Sequence, residues 1–440
     1  MIDIWTSSFI DTLWLCLLVT LVSVTIGFVT AVSSWLSNHY FTFFIPLLLL
    51  SVPPWLFAFY LGDSFLILNP WLGSILSLGI TCSVYPHSFI ASSLYNRGHR
   101  DFELVSITVG QNLKGLFYAV YPSCKIAILP SVAVVCAEVV SDFGVVNYFG
   151  IQTLTMLTYS IWTSTWQFHL LIPGLVLLTV VCLFLAKLNL STDKNLQITC
   201  DNTDIKRPAF AVLSIAPTLC VLLYIIIQSC LWIVNKNSLY EFNIENLFNS
   251  SLLVLTVSLI SLIAVVFYMT MPFIKETFKK TGIFFYALPG TVIGAIYMFL
   301  GGGIVPLIIL LILAIATRYF GLIIHTTATA DNGNKDSYEI LESYVENRWE
   351  KICLKLKMIF PAVSIGLCLI ILDVLRELPI SMILNPMNFS TLAMRMNYIA
   401  TTEHTPSLAG YSLTLIGIGV TLSLIVIWLL HVTNKKPTDY

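Results

Sequence analysis

Charge is what this chain has least of. Asp, Glu, Lys and Arg make up 10% of its 440 residues, and the 22 basic and 23 acidic side chains nearly cancel. A soluble domain carries about 25% charged residues, so a chain of this size could not cover its surface in water. Catalytic signatures are missing too. No GxxxxGK[ST] phosphate loop occurs, so the chain has no evident means of hydrolysing ATP, and no Ser/His/Asp or metal-hydrolase motif is present. Its ten cysteines form no CxxC pair. They stand singly, several inside apolar runs (Cys16, Cys82, Cys136, Cys182, Cys220, Cys368), which suits small buried hydrophobes rather than disulfides or a thiolate metal site. His87, His169 and His325 are likewise isolated by spacing. The first ten residues hold no Lys or Arg and no A-x-A site follows, so the first apolar run reads as a spanning helix rather than a signal peptide.

What fills the chain is apolar: 57% of residues, with a mean hydropathy of +0.88. Runs of roughly 17–25 apolar residues mark membrane spans. They fall near 11–33, 41–61, 71–94, 123–141 and 168–187, then near 209–233, 251–271, 284–302, 304–325, 358–376 and 408–431. The expected fold is an all-α polytopic membrane protein of about 11 transmembrane helices in two pseudo-symmetric halves. Lys and Arg favour the inner side. With the N-terminus outside, nineteen of the 22 fall inside, Arg318 among them; Lys236, Arg376 and Arg395 remain.

The halves show as an internal duplication. Glu103 precedes Glu339 by 236 positions; Asp142 precedes Glu377, Gly144 precedes Pro379 and Pro54 precedes Pro289 by 235. The expected organisation is a first half over 1–188, a polar inner linker over 189–207 and a second half over 208–440. Each half carries one polar inner loop, about 95–122 and 326–357, and two matched loops suit docking to a partner with two-fold pseudo-symmetry. Ionisable residues near a span are functional candidates by default. Glu138 and Asp373 lie near the outer ends of matching helices, with Asp142, Arg376 and Glu377 one turn on. The competing reading is structural: Arg376 pairs with one acid and the rest lock the protein together.

Glu103-Leu-Val-Ser-Ile-Thr-Val-Gly110, followed by Pro122, resembles the EAA loop of ATP-binding-cassette importer permeases. SDFGVVNYFGIQTLT (141–155) and DVLRELPISMILNPMNFSTLAMRMN (373–397) are similar to runs in the ferric-iron permeases of that superfamily. The second loop departs from the pattern, since it has no glycine matching Gly110 and has Lys357-Met358 where Leu-Pro is expected. The first half also begins at what resembles the second of six family helices.

The resemblance implies a type I importer permease fold with two fused halves, in a bacterial inner membrane, N-terminus periplasmic and C-terminus cytoplasmic. It implies coupling through Glu103, Gly110, Pro122, Glu339 and Glu342 to two copies of a cytoplasmic ATPase. The chain itself would be no enzyme and would bind no cofactor, ATP being used by the partner. Iron would arrive from a periplasmic binding protein; no nucleic-acid partner is implied. Ferric ion is a hard cation that favours oxygen ligands, so Glu138, Asp142, Asp373 and Glu377 become transient metal ligands, with Tyr148 and Arg376 on the pathway. Related permeases for thiamine, phosphonate or polyamine share the plan, and an ion-coupled secondary transporter is the alternative from another class.

Overall fold

The computed structural model describes residues 2–37, 40–64, 69–95, 105, 113–165, 167–190, 209–235, 243–271, 273, 275–301, 303–333, 347–402 and 405–434. Among these there are helices and no strands. In chain order they are α1 (Ile2–Ser37), α2 (Tyr40–Phe44) running into a 3-10 turn (Ile45–Ser51), α3 (Pro54–Ser64), α4 (Pro70–Thr81), α5 (Val84–Ser93), α6 (Leu113–Ser141), α7 (Gly144–Phe149), α8 (Leu154–Thr165) and α9 (Ile172–Leu190). Then come α10 (Ala209–Asn235), α11 (Ile244–Thr270), α12 (Lys275–Ala287), α13 (Gly290–Gly301), α14 (Leu307–Gly333), α15 (Arg348–Arg376), α16 (Pro379–Leu384), α17 (Leu392–Thr401) and α18 (Leu408–Asn434).

Among the described residues, seven helices are long and apolar enough to cross a membrane, or nine if each of two bent pairs counts as one span. The shorter apolar stretches Ala127–Ser141 and Ile172–Val181 coincide with two further expected spans. The bends are sharp and have an identifiable cause. Phe41–Ser51 meets Pro54–Ser64 at 77°, and Lys275–Ala287 meets Gly290–Gly301 at 105°. Pro53-Pro54 and Pro289 stand at the breaks, where proline withholds a backbone donor and a helix cannot continue. The chain is thus an all-α protein built to span a membrane several times.

The duplication reappears in element bounds. Adding 235 to the limits of α6 gives those of α15, and adding 235 to those of α7 gives those of α16. The expected inner loops are shorter than hydropathy suggests. α6 begins at Leu113 and passes straight through Pro122, α14 continues to Gly333, and α15 starts at Arg348. Helical hydrogen bonding carries on past the last apolar residue, because polar side chains on a helix end are satisfied in water. Pro122 therefore lies inside a helix, its side chain exposed.

The chain forms two compact units: one of 1–242 with 398–420, the other of 243–397 with 421–440. In the first, α1 packs along α4, α5, α6 and α10, while α3 meets α4 and α7. Tyr60 fixes α10 there: its hydroxyl bonds that of Ser229 at 2.6 Å and also that of Ser412, and its ring stacks on Trp232 at 4.7 Å. In the second unit the central helix is α14, packed by α11, α12, α13, α15 and α16. Leu311, Ala314, Ile315, Ile323 and Ile324 on it are buried in the apolar core. Where α12 crosses α14, a Cβ at Gly282 would lie 2.7 Å from Gly321 Cα, so these backbones touch as only small residues permit.

Candidate functional site

Each unit contains one acid-capped junction, built the same way. A long helix ends, the chain turns within two residues, and a six-residue helix begins beside the first turn of the second half of the broken span. In the first unit α6 ends at Ser141 and α7 starts at Gly144. The backbone N–H groups of Val145 and Val146 donate to Asp142 Oδ2 at 3.0 and 3.3 Å. A helix start leaves its first N–H groups without partners and carries partial positive charge, so a carboxylate there meets both needs. The start of α3 closes in from the side, since a Cβ on Gly144 would lie 2.5 Å from Trp55 Cβ.

One turn earlier on α6, Glu138 Oε1 accepts from the Tyr85 hydroxyl at 2.9 Å. Tyr148, on α7, is partly buried. Its ring packs on Phe59 and Phe149 with centroids 4.9 and 5.1 Å away, and lies against Gly62. Among the described residues no Lys or Arg pairs with Glu138 or Asp142.

In the second unit α15 ends at Arg376 and α16 starts at Pro379. Here Glu377 Oε1 accepts from the Ile380 N–H at 3.2 Å, while Oε2 takes Arg318 Nη1 at 2.9 Å and the Tyr319 hydroxyl. Both charged partners are deeply buried, Glu377 4% and Arg318 9% exposed. Asp373 is 6% exposed and holds Arg376, three residues on. The start of α13 is pressed against this network: a Cβ on Gly290 would lie 2.8 Å from Glu377 Oε1 and 2.7 Å from Arg318 Nη1. Glycine at 290 is therefore what admits the ion pair.

The same correspondence extends to α8 and α17. The Leu154 N–H donates to Thr12 Oγ1 at 2.9 Å, and the Leu392 N–H donates to Ser250 Oγ at 2.8 Å. Both pairs are 142 positions apart in sequence. A hydroxyl from the unit's first long helix caps the helix after the junction in both cases.

Arg318, which the charge count assigns to the inner side, belongs within this network. A guanidinium inside an apolar run needs a carboxylate, and Glu377 provides it across 59 positions. The sequence signal was there, a lone arginine in ILAIATRYFGLII. The structure brings Arg376 to Asp373, as the structural reading of these acids expects. Among the described residues no group of three or more His, Cys, Asp or Glu could hold a metal ion. Glu103, Gly110, Glu339 and Glu342 lie outside the described residues. An apolar recess of about 350 Å³ in the first unit, lined by Phe57, Leu61, Pro217 and Tyr224 among others, presents no charged group. Compared with protein-family models, curated proteins and solved structures, the chain matches none.

Proposed function

We propose that this multi-span membrane protein is the permease of an ATP-binding-cassette importer. Its cargo is ferric iron, received from a periplasmic binding protein and passed to the cytoplasm, and two copies of a cytoplasmic ATPase hydrolyse ATP. The observation that carries the reading is the duplicated plan, in which each unit holds a proline-broken span, a long helix and a short acid-capped helix in the same order. Broken helices at membrane depth are tolerated where their backbone is buried in protein or lines a water-filled path. A channel with two matched halves suits a pair of identical motor subunits.

In this reading the protein lies in a bacterial inner membrane with its N-terminus periplasmic and its C-terminus cytoplasmic. The inner loops carrying Glu103, Gly110, Glu339 and Glu342 transmit closure of the motor to the helices, a gating role of the usual kind. The closed ion pairs of Asp373 and Glu377 favour a second cargo as well, an organic cation such as a polyamine. An organic cation needs fewer oxygen ligands than a bare ferric ion.

The test is uptake of labelled ferric iron by the complex reconstituted with binding protein and ATPase, with and without Glu103→Lys. Uptake that requires ATP and collapses in the variant is the expected result. ATP hydrolysis without iron movement would leave the permease and remove the cargo. No association with an ATPase, and transport abolished by a protonophore instead, would replace the reading with a secondary transporter.

A further inference from the structure

The two junctions are built alike and charged differently. At the shift of 235, Glu138 corresponds to Asp373 and Asp142 to Glu377, so both acids are kept. The two arginines are not: Arg318 corresponds to Ser83, and Arg376 to Ser141. In the second unit each acid holds a guanidinium, and the four side chains sum to zero. In the first unit the serines turn away onto their own backbone. Ser83 donates to the Ile80 carbonyl at 2.6 Å and Ser141 to the Glu138 carbonyl at 3.1 Å. Among the described residues Glu138 and Asp142 are left with neutral donors alone, the Tyr85 hydroxyl and two backbone N–H groups.

The second unit thus serves as an internal reference in which the corresponding two acid positions bind cations. Two partly buried carboxylates one helical turn apart raise each other's free energy, and the start of α7 and the Tyr85 hydroxyl offset this with partial charges rather than a full counter-charge. We propose that the first unit's junction receives a cationic ligand at Glu138 and Asp142, where the second unit has its own arginines, and that the second junction is closed to cargo. The duplication has divided the work: one junction is an anchor and the other a way-station. This inference rests on the reading of the chain as a conductor of cations and names where in the chain the cation is held.

The test uses thermal unfolding of the purified full chain in detergent, titrated separately with gallium(III) citrate and with spermidine. Gallium is a redox-inert stand-in for a hard trivalent metal, and spermidine represents organic cations. Ser141→Arg places a guanidinium three residues after Glu138, the spacing at which Arg376 meets Asp373, so it supplies the missing charge from within. The expected result is a saturable rise in Tm with one of the two cations in the unaltered chain. That rise should survive in Ser141→Gln and be lost in Ser141→Arg and Glu138→Gln.

No saturable rise with either cation, or a rise that persists in both Ser141→Arg and Glu138→Gln, overturns the proposal. The importer reading fails separately. A cation-dependent rise without ATP-driven uptake would keep this site and discard the importer, and uptake without the rise would do the reverse.

Discussion

Replacing Glu377 by Gln should damage the protein far more than replacing Asp142 by Asn, although the two residues hold corresponding places. Glutamine keeps an acceptor for the Ile380 N–H, so the cap on α16 survives and the perturbation is one of charge. What it removes is the counter-charge of Arg318, whose guanidinium is almost wholly enclosed. Breaking a buried pair by deleting one partner costs about 3–5 kcal/mol, because the other charge remains desolvated. At about 1.4 kcal/mol per decade, that is roughly two to three and a half orders of magnitude in the folding equilibrium. Asp142→Asn leaves no stranded cation, and asparagine caps a helix as well as aspartate does. Its cost should stay within about 1 kcal/mol.

Chemical unfolding of the purified chain in detergent, followed by tryptophan fluorescence, measures both. Arg318→Met combined with Glu377→Gln should recover much of the loss, since removing both buried charges together avoids the stranded one. Equal losses in the two single variants, or a double variant whose loss is the sum of its parts, would refute the assignment of Glu377 to an ion-paired anchor.

Three further expectations follow from local geometry. Gly321→Ala would set a Cβ 2.3 Å from the Gly282 carbonyl oxygen and should cost about 1–3 kcal/mol, whereas Gly417→Ala, which meets nothing within 4 Å, should stabilise slightly; both are read by melting temperature. Thr12→Val and Ser250→Ala each strip the acceptor from a helix-start N–H, so each should cost about 1–3 kcal/mol and speed hydrogen exchange at Leu154 or Leu392 respectively. Lys275→Met breaks the pair with Asp331, but with the lysine side chain 30% exposed the loss should be no more than about 1 kcal/mol and should shrink in high salt.

The amino-acid sequence showed the spans because an apolar run long enough for a membrane has few other uses, and it showed the repeat because Asp142, Gly144 and Pro54 return at one offset. Helix ends were not legible in the same way. Residues 348–357 are too polar to look like a span, and 113–122 carry Lys114 and end in Pro122, yet both continue the helices that are, since hydropathy reports the solvent and not the backbone. The two bends were only half visible. Pro54 and Pro289 marked the positions, but a proline inside α6 or α15 leaves those helices unbroken, so proline alone does not fix the angle. The partner of Glu377 was hidden because Arg318 sits 59 positions upstream, and sequence spacing reports only neighbours on the same helix.

The acids themselves are the weakest functional signal at the junctions, although they first draw the eye. A short helix that begins right after a long one has N–H groups to satisfy and a positive end to balance, and that requirement is the same in both units. Asp142 and Glu377 answer it whether or not anything passes by, so their recurrence is accounted for by folding. The information lies in the positions where the repeats differ. Arginine in place of serine at 318 and 376 adds two cations to one junction and closes its charge from within. The start of α7 accounts for Asp142, but among the described residues Glu138 has the Tyr85 hydroxyl and no cation, and folding alone gives no reason to keep that acid so. A passing cation does, which makes Ser83 and Ser141, neither of them able to bind a metal by itself, the residues that most sharply separate a transport role from a structural one.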